Sequence, residues 1–456
     1  MKLLESLVSK TSLLLALVQL AGTIKPMPAQ AIVPNPDTTG TSSLVQDQVL
    51  LAEADNLPDI GNILDQDQVT EAVPIIEQTW EKQYEDYLGF EITDKSIMVE
   101  EIADTLDKIA IQTGKKPALL YIVPRPQQLE LVLITSEGKP IHKRVLAANR
   151  EVLLEQVQEL RISVSNPAFV NTNRYLTAAQ QLYKWMIAPL EADLQVQNID
   201  TLVFCVGAGL RTMPLAALHD GQKFLVEKYS ISLIPAFKLT NTVYTNLKNS
   251  QVLAMGASKF KDHSSLPAVP VELTNITQEP WSGQVFLNQE FTLANLQSQR
   301  RQHSYKIIHL ATHADFRPGS PSNSYIQFWD NKLRLDQIKQ LQWYYPPVEL
   351  LVLSACRTAI GDPEAELGFA GLAVQARVKS AIASLWYVSD EGTLWLMTKF
   401  YRHLKTAPIK AEALRQAQIA MLKGQISSEG GQLRDLSGNF SHPYFWAAFT
   451  VVGNPW

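Results

Sequence analysis

KIIHLATHADF (residues 306–316) and ELLVLSACRTAIGD (residues 349–362) are the stretches that set the architecture. Each opens as a short apolar run, the pattern of a strand buried on both faces in a parallel sheet. Each run stops on a reactive side chain, His313 in the first and Cys356 in the second. In open α/β sheets chemistry gathers just past the carboxyl ends of the strands. An imidazole and a thiol at two such ends, on neighbouring strands joined by a crossover, are what nucleophilic catalysis by cysteine requires.

On either side of these stretches strands and helices alternate. Apolar runs at TLVFCV, VLAMGAS, SAIASLWYV and WAAFTVVG read as further strands. FTLANLQSQ, LRLDQIKQL, GFAGLAVQARV, TLWLMTKFYRHL and IKAEALRQAQIAML read as helices between them. This alternation predicts a mostly parallel α/β sheet flanked by helices, either one continuous sheet or two packed lobes. Upstream, ALLYIVP and LELVLITS are separated by a turn at Pro126-Gln127-Gln128, and Ser136-Glu137-Gly138 marks a second turn, so a strand meander precedes the sheet. REVLLEQVQELRISV and LTAAQQLYKWMIAPL follow as helices. Residues 66–115 form an N-terminal helical region, with Val73, Ile76 and Trp80 on one face and Val99, Ile102, Ala103, Leu106 and Ile109 on another. No internal repeat is visible, so a helical solenoid is not encoded.

The chain has 456 residues, 46% hydrophobic and 19% charged, with a formal net charge of −5. That balance lacks the basic face of a nucleic-acid binder. At the N-terminus, Lys2 and Lys10 precede SLLLALVQLAG, and an Ala29-Gln30-Ala31 sequence follows. Residues 1–31 therefore read as a signal peptide, too short in its apolar run to be a permanent membrane span. Export to the periplasm or outside follows from that reading; a cytoplasmic amphipathic helix is the alternative. Residues 32–65, rich in Pro, Thr, Ser and Asp, read as a flexible leader.

Two cysteines exclude a disulfide framework. Cys205, inside TLVFCV, reads as a small core residue, with a Cys205–Cys356 bridge as the other possibility. His313 is the natural base for Cys356. His309 lies four residues earlier and shares its strand face, which raises a metal pair. The helical HExxH zinc pattern is absent, however, and a core histidine is the plainer reading. Acyl transfer also needs oxyanion donors, and the backbone N–H groups of Ala314 and Cys356 flank the two reactive positions.

Taken together, GLRTMPLAALHDGQKFLVEKYSIS, HLATHADF, ELLVLSACRTAIGD, ELGFAGLAVQARVKSAIASLWYVSDEGT, LMTKFYRHL and HPYFWAAFTVVG resemble, in order, the CHAT domain. This is a branch of the caspase–separase–gingipain superfamily of cysteine peptidases, and the resemblance covers roughly residues 116–456. It implies a caspase-like core, His313 as catalytic histidine, Cys356 as nucleophile, a thioester acyl-enzyme, and no metal or cofactor in the chemistry. Protein or peptide substrates follow, and a regulatory protein partner that orders the site. Two departures stand out: Ala314 where a glycine often follows the histidine, and Arg377 where similar sequences carry glycine. Calcium, used by some relatives, has no recognisable acidic loop here.

For substrate choice, an acidic pocket for Arg or Lys would draw on Asp315 and Asp390 first, then on Asp362 and Glu364. The alternative to a caspase-like endopeptidase is a catalytically silent CHAT module that binds proteins. A serine or metal hydrolase built on Ser354 or His309 is a distant third, since Ser354 has no separate base.

Overall fold

A computed structural model describes residues 58–92, 95–359, 361–425 and 440–456. The signal-peptide reading and most of the leader lie outside these residues. Within them thirteen strands form one continuous sheet, not two lobes. They are β1 (Pro117–Pro124), β2 (Leu129–Ile134), β3 (Ile141–Val145), β4 (Thr201–Val206), β5 (Ser230–Ile234), β6 (Val252–Gly256) and β7 (Gly283–Leu287). β8 (Ile307–Phe316), β9 (Tyr325–Gln327), β10 (Lys332–Arg334), β11 (Leu350–Thr358), β12 (Ser380–Ser384) and β13 (Phe449–Gly453) complete it.

The order along the sheet is β10-β9-β8-β11-β12-β13-β5-β4-β1-β2-β3, with β6 on β8 and β7 on β6. β7, β6, β8, β11 and β12 run parallel. So do β13, β5, β4 and β1. The two parallel blocks meet antiparallel at β12–β13, where Ser380 to Ser384 pair with Gly453 to Phe449. Antiparallel strands finish both ends, β2–β3 at one and β9–β10 at the other.

Burial follows the sequence pattern. Every residue of β1, β4, β5 and β6 is buried, as near-continuous apolar runs require. β3 and β7, at the edges, are partly exposed. The helix Val69–Leu88 buries Val73, Ile76, Trp80 and Tyr84, and Trp80 packs 5.8 Å from Tyr121 of β1. The helix Val99–Thr113 buries the five apolar residues expected of it. Both helices belong to the same core as the sheet, so no break in packing separates residues 66–115 from the strands. The buried carboxylate of Glu77 accepts the Tyr121 hydroxyl and the N–H groups of Phe237 and Lys238, just past β5.

Several expectations need correction. Residues 58–65 of the supposed leader are a helix that buries Ile60 and Leu64. LRLDQIKQL is divided between β10 and a 3-10 helix, Leu335–Leu341. GFAGLAVQARV is not one helix: Pro363–Ala370 and Leu372–Ala376 are broken at Gly371. A Cβ at Gly371 would sit 2.7 Å from the Leu367 carbonyl oxygen and 3.1 Å from the Tyr84 ring, so two chain segments cross closely there. The bridge between Cys205 and Cys356 is also ruled out. β12, β13 and β5 lie between β4 and β11, a separation of about 19 Å at normal strand spacing, far beyond disulfide reach.

Candidate active site

The site is built on the longest contact in the sheet, the parallel pairing of β8 with β11. Leu350 to Leu353 pair with Ile307 to Leu310, and after a bulge on β8 the pairing resumes as Ala355 with His313 and Cys356 with Ala314. Arg357 and Thr358 continue opposite Asp315 and Phe316. Both strands therefore run on past the reactive positions, which lie inside the ladder and not in a crevice beyond it. The β9–β10 hairpin causes this, because Ile326 and Tyr325 pair with Ala314 and Asp315 and extend β8. Ala314 thus has ladder partners on both sides. Cys356 is placed by its backbone; its side chain lies outside the described atoms.

His313 is held closely. Its Nε2 lies 2.8 Å from the Ser264 carbonyl oxygen. A carbonyl only accepts, so Nε2 carries the proton and Nδ1 keeps the lone pair. The His263 ring stacks on it at 5.0 Å and 20°, and Tyr387 at 6.2 Å and 20°, while Phe260 meets it edge-on at 4.8 Å. Burial pushes the His313 pKa below its ordinary 6.5, with the nearby His263 adding to the effect and the Ser264 carbonyl opposing it. The imidazole is thus neutral at pH 7 and free to take a proton at Nδ1.

Phe260, His263 and Ser264 come from one compact loop, closed by the Leu266 N–H on the Ser258 carbonyl at 3.0 Å. The Ser258 N–H in turn donates to Asn288 Oδ1 at 3.0 Å. At the loop's far end the Asp390 carboxylate accepts the Ala268 N–H. Sequence reading missed this loop. Its polar sequence has no period, and nothing local ties it to His313. Tyr387 was read as part of a strand, but β12 stops at Ser384.

Of the proposed acidic pocket residues, Asp315, Asp390 and Asp362 are engaged. Asp315 Oδ2 accepts from Arg317 at 2.8 Å and from the Tyr325 hydroxyl at 2.9 Å, and Arg357 Nε stands 3.7 Å from Oδ1. Burial alone would raise the Asp315 pKa, but Arg317 and Tyr325 outweigh it and hold the carboxyl below the usual range. Asp390 goes the other way: burial lifts it to about 6, against the Ala268 N–H bond. Asp362 caps the helix Pro363–Ala370 by accepting from the Ala365 N–H. His309 is a core histidine. Its Nε2 meets Glu272 at 2.7 Å and its Nδ1 the Tyr401 hydroxyl at 3.2 Å, so both ring nitrogens are occupied. Among the described residues no helix is long and apolar enough to cross a membrane.

A parallel α/β sheet flanked by helices, with histidine and cysteine on adjoining strands, defines a caspase-like fold. The CHAT domain profile matches residues 176–454, more than half of the chain, and the chain belongs to that family. Among solved structures it is similar to separase of Saccharomyces cerevisiae in the separase–securin complex. The identity is 11% and the TM-score 0.52, over 86% of this chain and 34% of that one. It is also similar to the pro- and mature domains of RgpB from Porphyromonas gingivalis. There the identity is 12% and the TM-score 0.39, over 74% of this chain and 78% of that one. At such identities the separase likeness speaks for the fold alone, and this chain spans about a third of the separase chain. No curated protein matches the sequence.

Proposed function

We propose that this chain is a cysteine endopeptidase in which His313 is the base and Cys356 the nucleophile. The observation that carries this reading is that β8 and β11, the strands bearing His313 and Cys356, are paired neighbours in the sheet. His313 Nδ1 takes the thiol proton, and the thiolate adds to the substrate carbonyl carbon. Collapse of the adduct breaks the C–N bond, and the imidazolium returns its proton to the leaving amine. Water then attacks the thioester, giving the acid and restoring the thiol. The backbone N–H groups of Ala314 and Cys356 are the proposed oxyanion donors once a shift at the strand ends frees them from the ladder. No metal or cofactor has a part in this scheme.

Cys356 pairs with Ala314 rather than with His313, so joining the dyad requires the last residues of β11 to shift. That offset supports a resting form ordered by substrate or by a regulatory protein partner; separase, the fold neighbour, was solved bound to securin. It equally favours the second reading, a silent module. A peptidyl electrophile separates the two. It should label Cys356 in the wild type far faster than a small haloacetamide does, and fail in His313→Ala while the fold is retained. Equal labelling by both reagents, indifferent to His313→Ala, would leave the silent module. Export after cleavage behind Ala31 is part of the same proposal, and the N-terminal residue of protein purified from cells tests it.

A further inference from the structure

We infer that the residue whose carbonyl is attacked carries an acidic side chain, received by Arg357 with Arg317 behind it. This rests on the peptidase reading and names its substrate class. Arg357 directly follows Cys356 and pairs across the ladder with Asp315, two residues beyond His313. Strand side chains alternate between faces, so Arg357, paired with Asp315, stands on the same face as His313, which pairs with Ala355. It is 70% exposed, and among the described residues its one charged neighbour is Asp315, at 3.7 Å, too long for a hydrogen bond. Asp315 is meanwhile saturated by Arg317 and Tyr325. Lys332 lies over the Tyr325 ring at 4.1 Å, and Tyr325 reaches the site through His263, 6.3 Å away.

At neutral pH this rim sets Arg317, Arg357 and Lys332 around the carboxylate of Asp315. A basic substrate residue would be repelled, and the acid that would have received it is occupied. A planar guanidinium with free N–H groups takes a carboxylate in two parallel hydrogen bonds, a fit that neither an amide nor a leucine reproduces. Of the other acids named for the pocket, Asp362 is spent on a helix cap and Asp390 on the Ala268 N–H. Asp262 stands on the exposed face of the covering loop, turned to solvent.

The test is a set of peptides differing only at the acyl residue: Asp, Glu, Asn, Gln, Leu or Arg. Charge-assisted hydrogen bonds are worth roughly tenfold or more. The wild type should therefore cleave Asp or Glu peptides at least ~10-fold better, in kcat/KM, than their Asn and Gln isosteres. Added salt should narrow that gap. Arg357→Glu, a change at an exposed side chain, should keep the fold and move the preference to Arg. Equal rates for Asp and Asn, or a preference untouched by Arg357→Glu, would overturn the inference. Should the isolated chain cleave no peptide, as a resting form would not, the subsite is judged by binding instead. Binding of the same peptides to Cys356→Ala then decides: Asp over Asn, lost in Arg357→Glu, upholds the acidic subsite, and equal binding ends it.

Discussion

The imidazoles of His263 and His313 lie face to face, 5.0 Å between centroids and 20° between planes, on a covering loop and a central strand respectively. His313 has its Nε2 proton committed to a backbone carbonyl, so only its Nδ1 can titrate. The prediction is an acid limb of kcat/KM below pH 6.5, the value from which burial depresses His313. Its imidazole resonance in the NMR spectrum should titrate over the same range. In His263→Gln the stacked neighbour can no longer carry charge, and the His313 titration should move up toward its ordinary value.

His442 gives the clearest pH effect on stability. Burial pushes its pKa from 6.5 to about 4, where Nδ1 accepts the Tyr444 N–H and the ring edges onto Tyr175 at 4.9 Å. The unfolded chain takes up this proton first, so the contribution is complete above pH 6.5 and is lost as pH falls toward 4. Linkage makes it about 3 kcal/mol. Asp362 and Asp390, raised to about 6 by burial, act oppositely and soften the net slope. Denaturant melts at pH 7 and pH 4.5 should differ less for His442→Asn than for the wild type.

Glu366 tests the link between the two halves of the sheet. Its buried carboxylate accepts from Arg161 at 2.7 Å, from the Thr212 hydroxyl at 2.9 Å and from the Gly209 N–H at 2.9 Å. Glu366→Ala strands the Arg161 guanidinium in the core and should cost about 3–5 kcal/mol. Arg161→Met with Glu366→Leu should recover much of that, since both charges leave together. Equilibrium urea unfolding measures each.

Arg377 occupies a left-handed conformation at φ 53°, capping the helix Leu372–Ala376. A side chain there costs roughly 1–2 kcal/mol. Stacking on Tyr344 at 5.6 Å returns part of it. Arg377→Gly should raise stability by about 1 kcal/mol, seen as a higher melting temperature. An unchanged or lower value would mean the stacking matters more than the backbone.

Cys205 is buried, its thiol donates to the Pro235 carbonyl at 3.4 Å, and burial raises its pKa well above normal. It should resist alkylation in the folded state and react only on unfolding. Mass spectrometry of the native wild type and of Cys205→Ala should therefore show the same modified peptide, the one containing residue 356.

Most of the parallel core could be read from sequence because buried strands are unbroken apolar runs, as at β4, β6, β8 and β11. His313 and Cys356 stood at the edges of such runs, and their strands are indeed neighbours. What escaped reading is contact-dependent. β9 and β10 are three residues each and exist only through pairing, β9 with β8 and β10 with β9. β7 carries Gly283, whose Cβ would collide with the Val252 carbonyl at 2.3 Å; its close approach, not its composition, makes it a strand. The loop over His313 is fixed by backbone bonds that any polar sequence could make. Arg377 stood out only as a departure from the glycine of similar sequences; its left-handed backbone came from the structure.

The antiparallel seam at β12–β13 has a mechanical consequence. Hydrogen-bonded along its whole length, it welds two opposed slabs into one plate, with no hinge line between them. The mouth over His313 therefore cannot open by swinging lobes apart. Any opening over His313 falls instead to the nine-residue loop Ser258–Leu266, tied to Asn288 at its start and followed by the Ala268 N–H tie to Asp390.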